Sequence, residues 1–419
     1  MKLTSGLPKA LLTLVTFQLV AQAFQLASGV FIVQALSVSG YALYTLFTSA
    51  LSLLALSSDP GLSQLLVSVG TKFRDDTARL QRVASSVLRT SFKLLAFMFL
   101  PIALYFTMSA RTTLLEDALF AALLLLQATL ACVERVAIAR WNVDQQVRAY
   151  AQLQVTSAAL RLLFVFVAVR LFPRWQLAAL SVCAGSLATL WVSRYKDRSK
   201  TRFEFSDASS AAAKPDHDRI LRLLWPLLPS SVYSVINGQL PIVLAAGTAS
   251  LVTIGEYGAL SRVGQVILML GLLNSNVLNA HLASMAARPR AVGSALGTVC
   301  GLYVLAASAI MLLTWKWPEV WFLLLGTQYA HLDPALLIWT IAISGLTLLL
   351  GALYFATISL ESTSHQWLHI PAGGLVVAVF LATNGARIEG VEEMIHLAFG
   401  LALAALLVQG FIVLRAIFR

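Results

Sequence analysis

Polar side chains recur at helical spacing inside the long apolar stretches of this 419-residue chain. Residues spaced by three, four or seven positions share one stripe of a helix. Arginine offers a planar fork of donors that fits phosphate oxygens in pairs, and amides and hydroxyls can hydrogen-bond sugar hydroxyls. These stripes therefore predict a binding site for an anionic solute or head group. The candidates are Arg161, Ser157 and Gln154; Arg262, Gln265, Asn276 and Asn279; and Gln18, Gln22 and Gln25.

Each stripe has a structural alternative. An ionisable side chain in hydrocarbon costs at least about 2.5–3.5 kcal/mol on insertion scales. Arg161, midway along its apolar stretch, is therefore expected to face a water-filled cavity or a functional partner, or else to pair with Glu134 or Asp59. Arg262 lies nearer the end of its stretch and could extend to the membrane surface. The amides and hydroxyls could instead hydrogen-bond between packed helices.

Two acidic residues are candidates for ion coupling. Asp59 lies inside an apolar stretch, but it precedes Pro60, which removes a helical hydrogen bond, so Asp59 could serve only to bend the helix. Glu134 is adjacent to Arg135 and could simply mark the membrane interface. Both interpretations stay open for both residues.

Enzymatic and cofactor signatures are not found in the sequence. Cys132, Cys183 and Cys300 lie singly in or beside apolar stretches, which predicts neither disulfides nor a metal site. There is no Walker-type phosphate loop, no His/Cys metal spacing and no nucleophile elbow. We therefore expect a non-enzyme that has no catalytic residues, needs no cofactor and does not hydrolyse ATP.

Composition identifies the elements that must position these residues. The chain is 58% hydrophobic and 12% charged, whereas soluble domains average about 25% charged residues. Apolar runs near 20 residues recur throughout, the length that lets a helix cross a bilayer. The sequence predicts an all-α polytopic membrane protein with about twelve spans. They are placed near 10–36, 41–69, 93–109, 118–139, 151–171, 175–193, 223–247, 252–285, 293–315, 334–358, 367–383 and 394–415.

The basic residues predict the orientation. Most of the 30 Lys and Arg residues fall in alternate gaps between the apolar runs, which is the pattern of cytoplasmic loops. Both termini are therefore expected in the cytoplasm. The net charge of +11 is explained by this pattern, and no nucleic-acid partner is expected. The basic segment 72–93 could be an amphipathic helix on anionic lipid or a solvated loop.

The longest polar stretch, 194–222, is rich in Ser, Ala and charged residues, as a flexible cytoplasmic linker is. It divides the chain into a six-helix bundle over 1–193 and a second over 223–419. Because six is even, both bundles would enter the membrane in the same direction, one of the arrangements of repeat-built transporters. We expect the polar stripes to line a central cavity between them.

These features resemble a known superfamily. Gly40-Tyr41 opens the second span, and Gly255-Glu256-Tyr257 opens the eighth. The segment SVSGYALYTLFTSALSLLALSSDPGLSQLL at 37–66, with its counterpart TIGEYGALSRVGQVI at 253–267, is similar to multidrug/oligosaccharidyl-lipid/polysaccharide exporters. Within that superfamily the chain looks like the Wzx-like O-antigen and exopolysaccharide flippases of the bacterial inner membrane. Many members carry an acid early in the seventh span, whereas this chain has Asn237 and Gln239, so the driving force stays open.

The resemblance implies a function and partners. A Wzx-like flippase moves undecaprenyl-diphosphate-linked oligosaccharide repeat units to the periplasmic leaflet by alternating access, with cationic cavity residues holding the diphosphate. Arg161 and Arg262 are the positions available for that role. Membrane lipids and a polysaccharide polymerase or export machinery are the expected partners. The alternatives are a small-molecule exporter of the same superfamily, a membrane-embedded glycan ligase or polymerase, and a non-transporting scaffold.

Overall fold

A computed structural model describes residues 7–70, 76–110, 112–143, 147–196, 228–271, 288–360, 365–384 and 387–418, with 274, 278, 281, 282, 285 and 362. Within them, α-helices predominate and no strand is found. In chain order the helices are α1 Leu7–Ala35, α2 Val38–Ser57, α3 Leu62–Gly70, α4 Thr77–Ala110, α5 Leu114–Val143, α6 Val147–Phe164, α7 Trp175–Lys196, α8 Leu228–Thr248, α9 Leu251–Leu268, α10 Pro289–Lys316, α11 Pro318–Leu325, α12 Pro334–Ser359, α13 His369–Asn384 and α14 Val391–Ile417.

The predicted class is confirmed: the fold is all-α and multi-pass. Among the described residues, ten helices are long and apolar enough to cross a bilayer. Helices α8 and α9 overlap the predicted seventh and eighth spans but lie outside those ten. A π-helical turn at Val165–Val169 follows α6, and short 3-10 turns at Thr327–Tyr329 and Gln366–Leu368 precede α12 and α13.

Three predicted boundaries were wrong. The predicted span 41–69 is two helices, because the chain breaks between Ser57 and Leu62 at Asp59-Pro60-Gly61, where Gly61 has φ +99°. The helix that contains the third predicted span begins at Thr77 and not at 93, so residues 77–93 are the first part of α4 and not a loop. That this part lies on anionic lipid stays a prediction. The eighth predicted span, 252–285, ends as an α-helix at Leu268.

The described chain forms two compact units. Unit 1 comprises 1–22, 29–45 and 240–419, and unit 2 comprises 23–28 and 46–239. Residues 197–227, with most of the predicted linker 194–222, lie outside the described residues. The division into bundles at that linker, and the cavity between them, stay predictions.

Unit 1 is organised around α12, which packs against α9, α10 and α14. Its core contains polar side chains that satisfy one another's hydrogen-bonding groups. His369 Nε2 lies 2.8 Å from Gln409 Oε1, and Gln409 Nε2 donates to Thr357 Oγ1 at 2.6 Å. Hydrogen bonds of this kind hold membrane helices together where lipid supplies no hydrophobic force between them.

Unit 2 is organised around α5, which packs against α3, α4 and α7, while α6 packs against α7. One end of its core is aromatic. The rings of Phe47, Phe120 and Trp175 stand 5.7–6.4 Å apart between centroids. Such ring contacts add to area burial and fix how the three segments approach one another.

Candidate functional site

Arg262, in the middle of α9, is held by uncharged groups of unit 1. Its Nε donates to the Tyr41 hydroxyl at 3.0 Å, and its Nη1 donates to Gln265 Oε1 at 3.4 Å. Tyr41 is fully buried and donates its own proton to the Gly258 carbonyl at 3.2 Å. The Tyr44 hydroxyl also interacts with the guanidinium. The predicted pairing of Arg262 with Gln265 on one face is therefore present.

The charge of Arg262 is not neutralised inside the described part of unit 1. No Asp or Glu described there forms an ion pair with it, and its partners are two phenols and an amide. A partly buried cation without a counter-ion is costly, and an anion that reaches it offsets that cost. The arrangement can therefore bind an anion without first breaking an internal ion pair.

Small residues bring α9 close to the segments that carry Tyr41. A Cβ on Gly255 would lie 2.7 Å from the Val38 carbonyl oxygen, and a Cβ on Gly258 would overlap the Thr45 hydroxyl. Small residues three or four apart allow membrane helices this close an approach. The two sequence motifs that open with Gly and Tyr thus pack directly against each other.

Two glutamines complete this contact, and the sequence reasoning missed both. Gln34 Nε2 donates to the Leu324 carbonyl at 2.9 Å, in the last turn of α11. Gln328 Nε2 donates to the carbonyls of Val33 and Leu36 at 2.8 and 3.1 Å, where α1 ends. The last carbonyls of a helix have no partner within the helix, so each glutamine caps the end of the other segment's helix. We call Gln34, Tyr41, Arg262 and Gln328 the clasp.

The stripe around Arg161 lies in unit 2 and packs against α7. Ser157 Oγ donates to the Gly185 carbonyl at 2.8 Å. A Cβ on Gly185 would lie 3.6 Å from Arg161 Cβ, so the stem of Arg161 passes beside this glycine. Ser157 therefore makes a helix-packing contact, and its role in binding stays a prediction. Arg161 and Gln154 are half-buried, and their role in a cavity stays a prediction.

Asp59 caps a helix. The backbone N–H of Ser63 donates to Asp59 Oδ1 at 2.9 Å, and the Ser63 hydroxyl donates to Oδ2. Asp59 lies three residues before α3 begins, and it accepts from the second residue of that helix, as an N-cap side chain does. Of the two interpretations of Asp59, the structure favours the structural one. Glu134 is half-buried on α5 and is not brought into a shared site with Asp59 by any hydrogen bond of the described residues.

The remaining candidates fall into separate places. On α1, Gln18 is buried, Gln22 half-buried and Gln25 exposed. Asn276 and Asn279 lie outside the described residues. The α-helix that carries Arg262 ends at Leu268, and the predicted stripe that joins these asparagines to Arg262 stays a prediction.

Another asparagine of this region was missed by the sequence reasoning. Asn274 is buried, donates to the Leu348 carbonyl at 3.1 Å and accepts from the Tyr303 hydroxyl at 2.8 Å. These bonds join it to α12 and α10. A buried amide that is satisfied by neighbouring helices serves packing.

Metal ligands are not grouped in the described residues. No set of three or more His, Cys, Asp or Glu side chains there could hold a metal ion. Cys132 and Cys183 are both buried. The Cys132 sulfur lies 3.4 Å from the Ser58 hydroxyl oxygen inside unit 2.

The sequence itself has no match among protein-family models, and no curated protein matches it either. Solved structures do match it along almost its whole length. The lipid II flippase MurJ in an inward closed conformation has a TM-score of 0.67 at 14% identity, covering 96% of this chain and 87% of that one. An inward-facing multidrug resistance MATE family transporter of the MOP superfamily has a TM-score of 0.63 at 14% identity, covering 97% and 98%.

A third match is the Vibrio cholerae MATE transporter VcmN, with a TM-score of 0.60 at 12% identity and 98% of each chain covered. These proteins are transporters and a flippase, not enzymes. At such low identity the likeness concerns the fold alone. The chain therefore has the multi-pass all-α fold that MATE transporters of the MOP superfamily share with the flippase MurJ.

Proposed function

We propose that this protein is a flippase that moves undecaprenyl-diphosphate-linked oligosaccharide repeat units across the bacterial inner membrane, for O-antigen or exopolysaccharide assembly. The observation that carries the proposal is Arg262, a cation inside a membrane-spanning fold whose partners are all neutral. A diphosphate presents oxygens in the spacing that a guanidinium fork accepts in pairs. The flippase MurJ, which shares the fold, supports a lipid-linked substrate.

The clasp suggests how access could alternate. Gln34 and Tyr41 flank the junction between α1 and α2, while Arg262 and Gln328 belong to the later part of the chain. In the proposed orientation, with both termini cytoplasmic, that junction lies at the periplasmic side. A closed clasp would seal that side, and its opening would release the substrate there. An anion at Arg262 competes with the Tyr41 hydroxyl for the guanidinium, so substrate arrival would weaken the clasp.

A second candidate function is export of a small molecule. The fold is similar to MATE multidrug transporters and to the flippase MurJ with comparable TM-scores. The fold therefore supports small-molecule export as well as it supports a lipid substrate. The charge of the site distinguishes the flippase function from small-molecule export. Arg262 with neutral partners suits an anionic group and disfavours the cationic compounds that an acidic site would take.

Substitution at Arg161 and Arg262 in the source cell tests the proposal. We expect Arg161→Ala and Arg262→Ala to abolish surface polysaccharide and to accumulate lipid-linked repeat units on the inner leaflet. Arg161→Lys and Arg262→Lys should restore output only in part, because lysine keeps the charge but loses the fork. Normal glycan output from both Ala variants at normal protein levels would refute the assigned roles.

A further inference from the structure

One arginine of unit 2 is buried and, among the described residues, has no hydrogen-bond partner at two of its nitrogens. Arg140, near the end of α5, is 2% exposed and among the largest fully buried side chains. Its Nε and Nη1 atoms are both enclosed, and in the described part of the chain neither donates a hydrogen bond. A buried guanidinium without an acceptor is strongly unfavourable, so such a group requires an explanation such as an absent ion.

The position of Arg140 follows from the helix register. Cys132, Val136, Arg140 and Val143 are spaced i, i+4, i+8 and i+11, so they share one face of α5, and all four are buried. The charge therefore interrupts an otherwise apolar stripe. By sequence alone, Arg140 is one of the basic residues that lie in the gaps between apolar runs.

Two contacts fix what this stripe faces. At one end, Cys132 Sγ lies 3.4 Å from Ser58 Oγ, just before α3. At the other, a Cβ on Gly70 would lie 2.9 Å from Val143 Cγ2 and 2.8 Å from Leu80 Cδ1. Arg140 lies between these points, where α5 packs against α3 close to the start of α4.

Further unpaired donors lie at the same end of unit 2. Trp141 Nε1 and Arg82 Nε are also enclosed without a hydrogen-bond partner among the described residues. Arg82 is two residues beyond Leu80, in the first turns of α4. These two atoms and the two nitrogens of Arg140 are all N–H donors. Among the described residues of α3, α4 and the end of α5, no buried side-chain acceptor is left without a hydrogen bond. A site that combines positive charge with donors alone selects an anion.

We propose that Arg140 forms a binding site for a phosphoryl group at this end of unit 2. The site does not include Arg161 or Arg262, and the proposal does not depend on the flippase function. A phosphoryl group offers several acceptor oxygens, which would engage the guanidinium fork in pairs. The basic loops assign this end to the cytoplasmic face, where anionic lipid head groups and free phosphate both present that chemistry.

Thermal unfolding of the full-length protein in detergent tests the proposal, with a thiol-reactive dye reporting the exposure of buried cysteines. Inorganic phosphate, pyrophosphate and micellar phosphatidylglycerol are titrated separately, with chloride at equal ionic strength as the screening control. We expect the Tm of the wild type to rise with a phosphoryl compound but not with chloride. Arg140→Met should bind that compound about tenfold more weakly or worse, because it removes the charge-assisted bonds.

Arg135→Met is the matched control on the same helix. The Arg135 guanidinium donates to the Ala55 carbonyl, so its loss should lower the Tm and leave the phosphoryl-dependent shift intact. Arg140→Met should not lower the Tm of the ligand-free protein, because it removes a charge that no group compensates. Arg140→Lys, which keeps the charge, should retain part of the shift and covers the case in which the Met variant fails to fold.

The titrations also identify the source of the phosphoryl group. A rise in Tm with free phosphate or pyrophosphate supports a soluble anion, and a rise with phosphatidylglycerol alone supports a lipid head group. The proposal is overturned if no phosphoryl compound raises the Tm above the chloride control. It is also overturned if Arg140→Met keeps the full shift, or if it unfolds at a lower temperature in the way that Arg135→Met does.

Discussion

At the scale of single residues, the Tyr41 hydroxyl connects the charge of Arg262 to the backbone of α9. It accepts from the guanidinium and donates to the Gly258 carbonyl, so one oxygen satisfies two groups of unit 1. Removing one partner of a buried charged hydrogen bond costs more than the bond itself contributes, because the other partner is left unsatisfied. The loss of this single oxygen should therefore be measurable.

We expect Tyr41→Phe to lower the free energy of unfolding of the purified protein by about 1–3 kcal/mol. The loss should shrink when Arg262 is already Gln, because the two residues share one hydrogen bond. Denaturant or thermal unfolding of the two single variants and the double variant measures this coupling. Tyr354→Phe, at a residue that is 41% exposed, is the control. Strictly additive effects of the two substitutions would contradict the contact.

Asp59 provides a second test at this scale, since it separates helix capping from ion binding. Asp59→Asn keeps an acceptor for the Ser63 N–H and should leave stability and transport near those of the wild type. Asp59→Ala removes the cap of α3 and should cost about 1 kcal/mol. Unfolding and glycan output are measured for both. If Asp59→Asn is stable but stops transport, the carboxylate charge has a functional role and the capping account is insufficient.

At the scale of helices, glycines determine how closely α9 approaches its neighbours. Gly258 faces Thr45 of α2, and Gly264 faces Ser344 of α12 so closely that a Cβ would overlap the serine hydroxyl. Several glycines elsewhere face open space, for example Gly301 on α10. The same substitution is therefore expected to have opposite consequences at these two kinds of position.

Gly258→Val should destabilise the protein by about 1–3 kcal/mol or prevent its accumulation, because the new side chain separates α9 from α2. Gly301→Val should be tolerated. Thr45→Ala removes the hydroxyl that the new Cβ would overlap, and it should recover part of the loss when combined with Gly258→Val. Expression level and Tm in detergent report all four proteins. Equal tolerance at positions 258 and 301 would show that the close approach does not hold in solution.

The sequence predicted the helices better than their ends. Apolar runs located all ten described helices that are long and apolar enough to cross a bilayer, because hydrocarbon demands about 20 apolar residues per span. The run through 41–69 concealed a break, since Pro60 and Gly61 are short interruptions that hydropathy averages out. The start of α4 was missed for the opposite reason. Arg79, Arg82 and Arg89 lower the hydropathy of a segment that continues the helix.

The sequence also predicted only part of the candidate sites. Periodicity placed Arg262 with Gln265 and Arg161 with Ser157, because neighbours on one helix depend only on spacing. It could not find Gln34 or Gln328, whose acceptors are helix-end carbonyls almost 300 positions away along the chain. It also could not show that Arg140 is enclosed, because burial depends on how α3, α4 and α5 pack.

At the scale of the whole molecule, the proposed mechanism requires the clasp to open during transport. A covalent link across it should therefore stop transport. Cysteines placed at Gln34 and Leu324, in a background in which the three native cysteines are Ala, can be joined by a short bis-maleimide. Gln34 already reaches the Leu324 carbonyl at 2.9 Å. We expect the linked protein to lose translocation and the unlinked double variant to retain it.

A link between two helices of the same predicted bundle, 223–419, is the matched control for this cross-link. The Cβ that Gly345 would carry lies 3.2 Å from the Ala307 Cβ, so cysteines at these positions join α12 to α10. That link should leave translocation unchanged, because these helices are expected to move together. Full activity with the clasp linked would mean that it does not open during transport.

The most direct measurement of the central claim is translocation of a labelled lipid by the purified protein. Proteoliposomes carry a fluorescent polyprenyl-diphosphate oligosaccharide, and a membrane-impermeant quencher reports which leaflet holds it. The account predicts protein-dependent exchange between leaflets, strongly reduced by Arg262→Ala, with no comparable exchange of a polyprenol-linked sugar that lacks the diphosphate. No exchange of the diphosphate lipid, together with transport of a cationic small molecule by the same proteoliposomes, would contradict it.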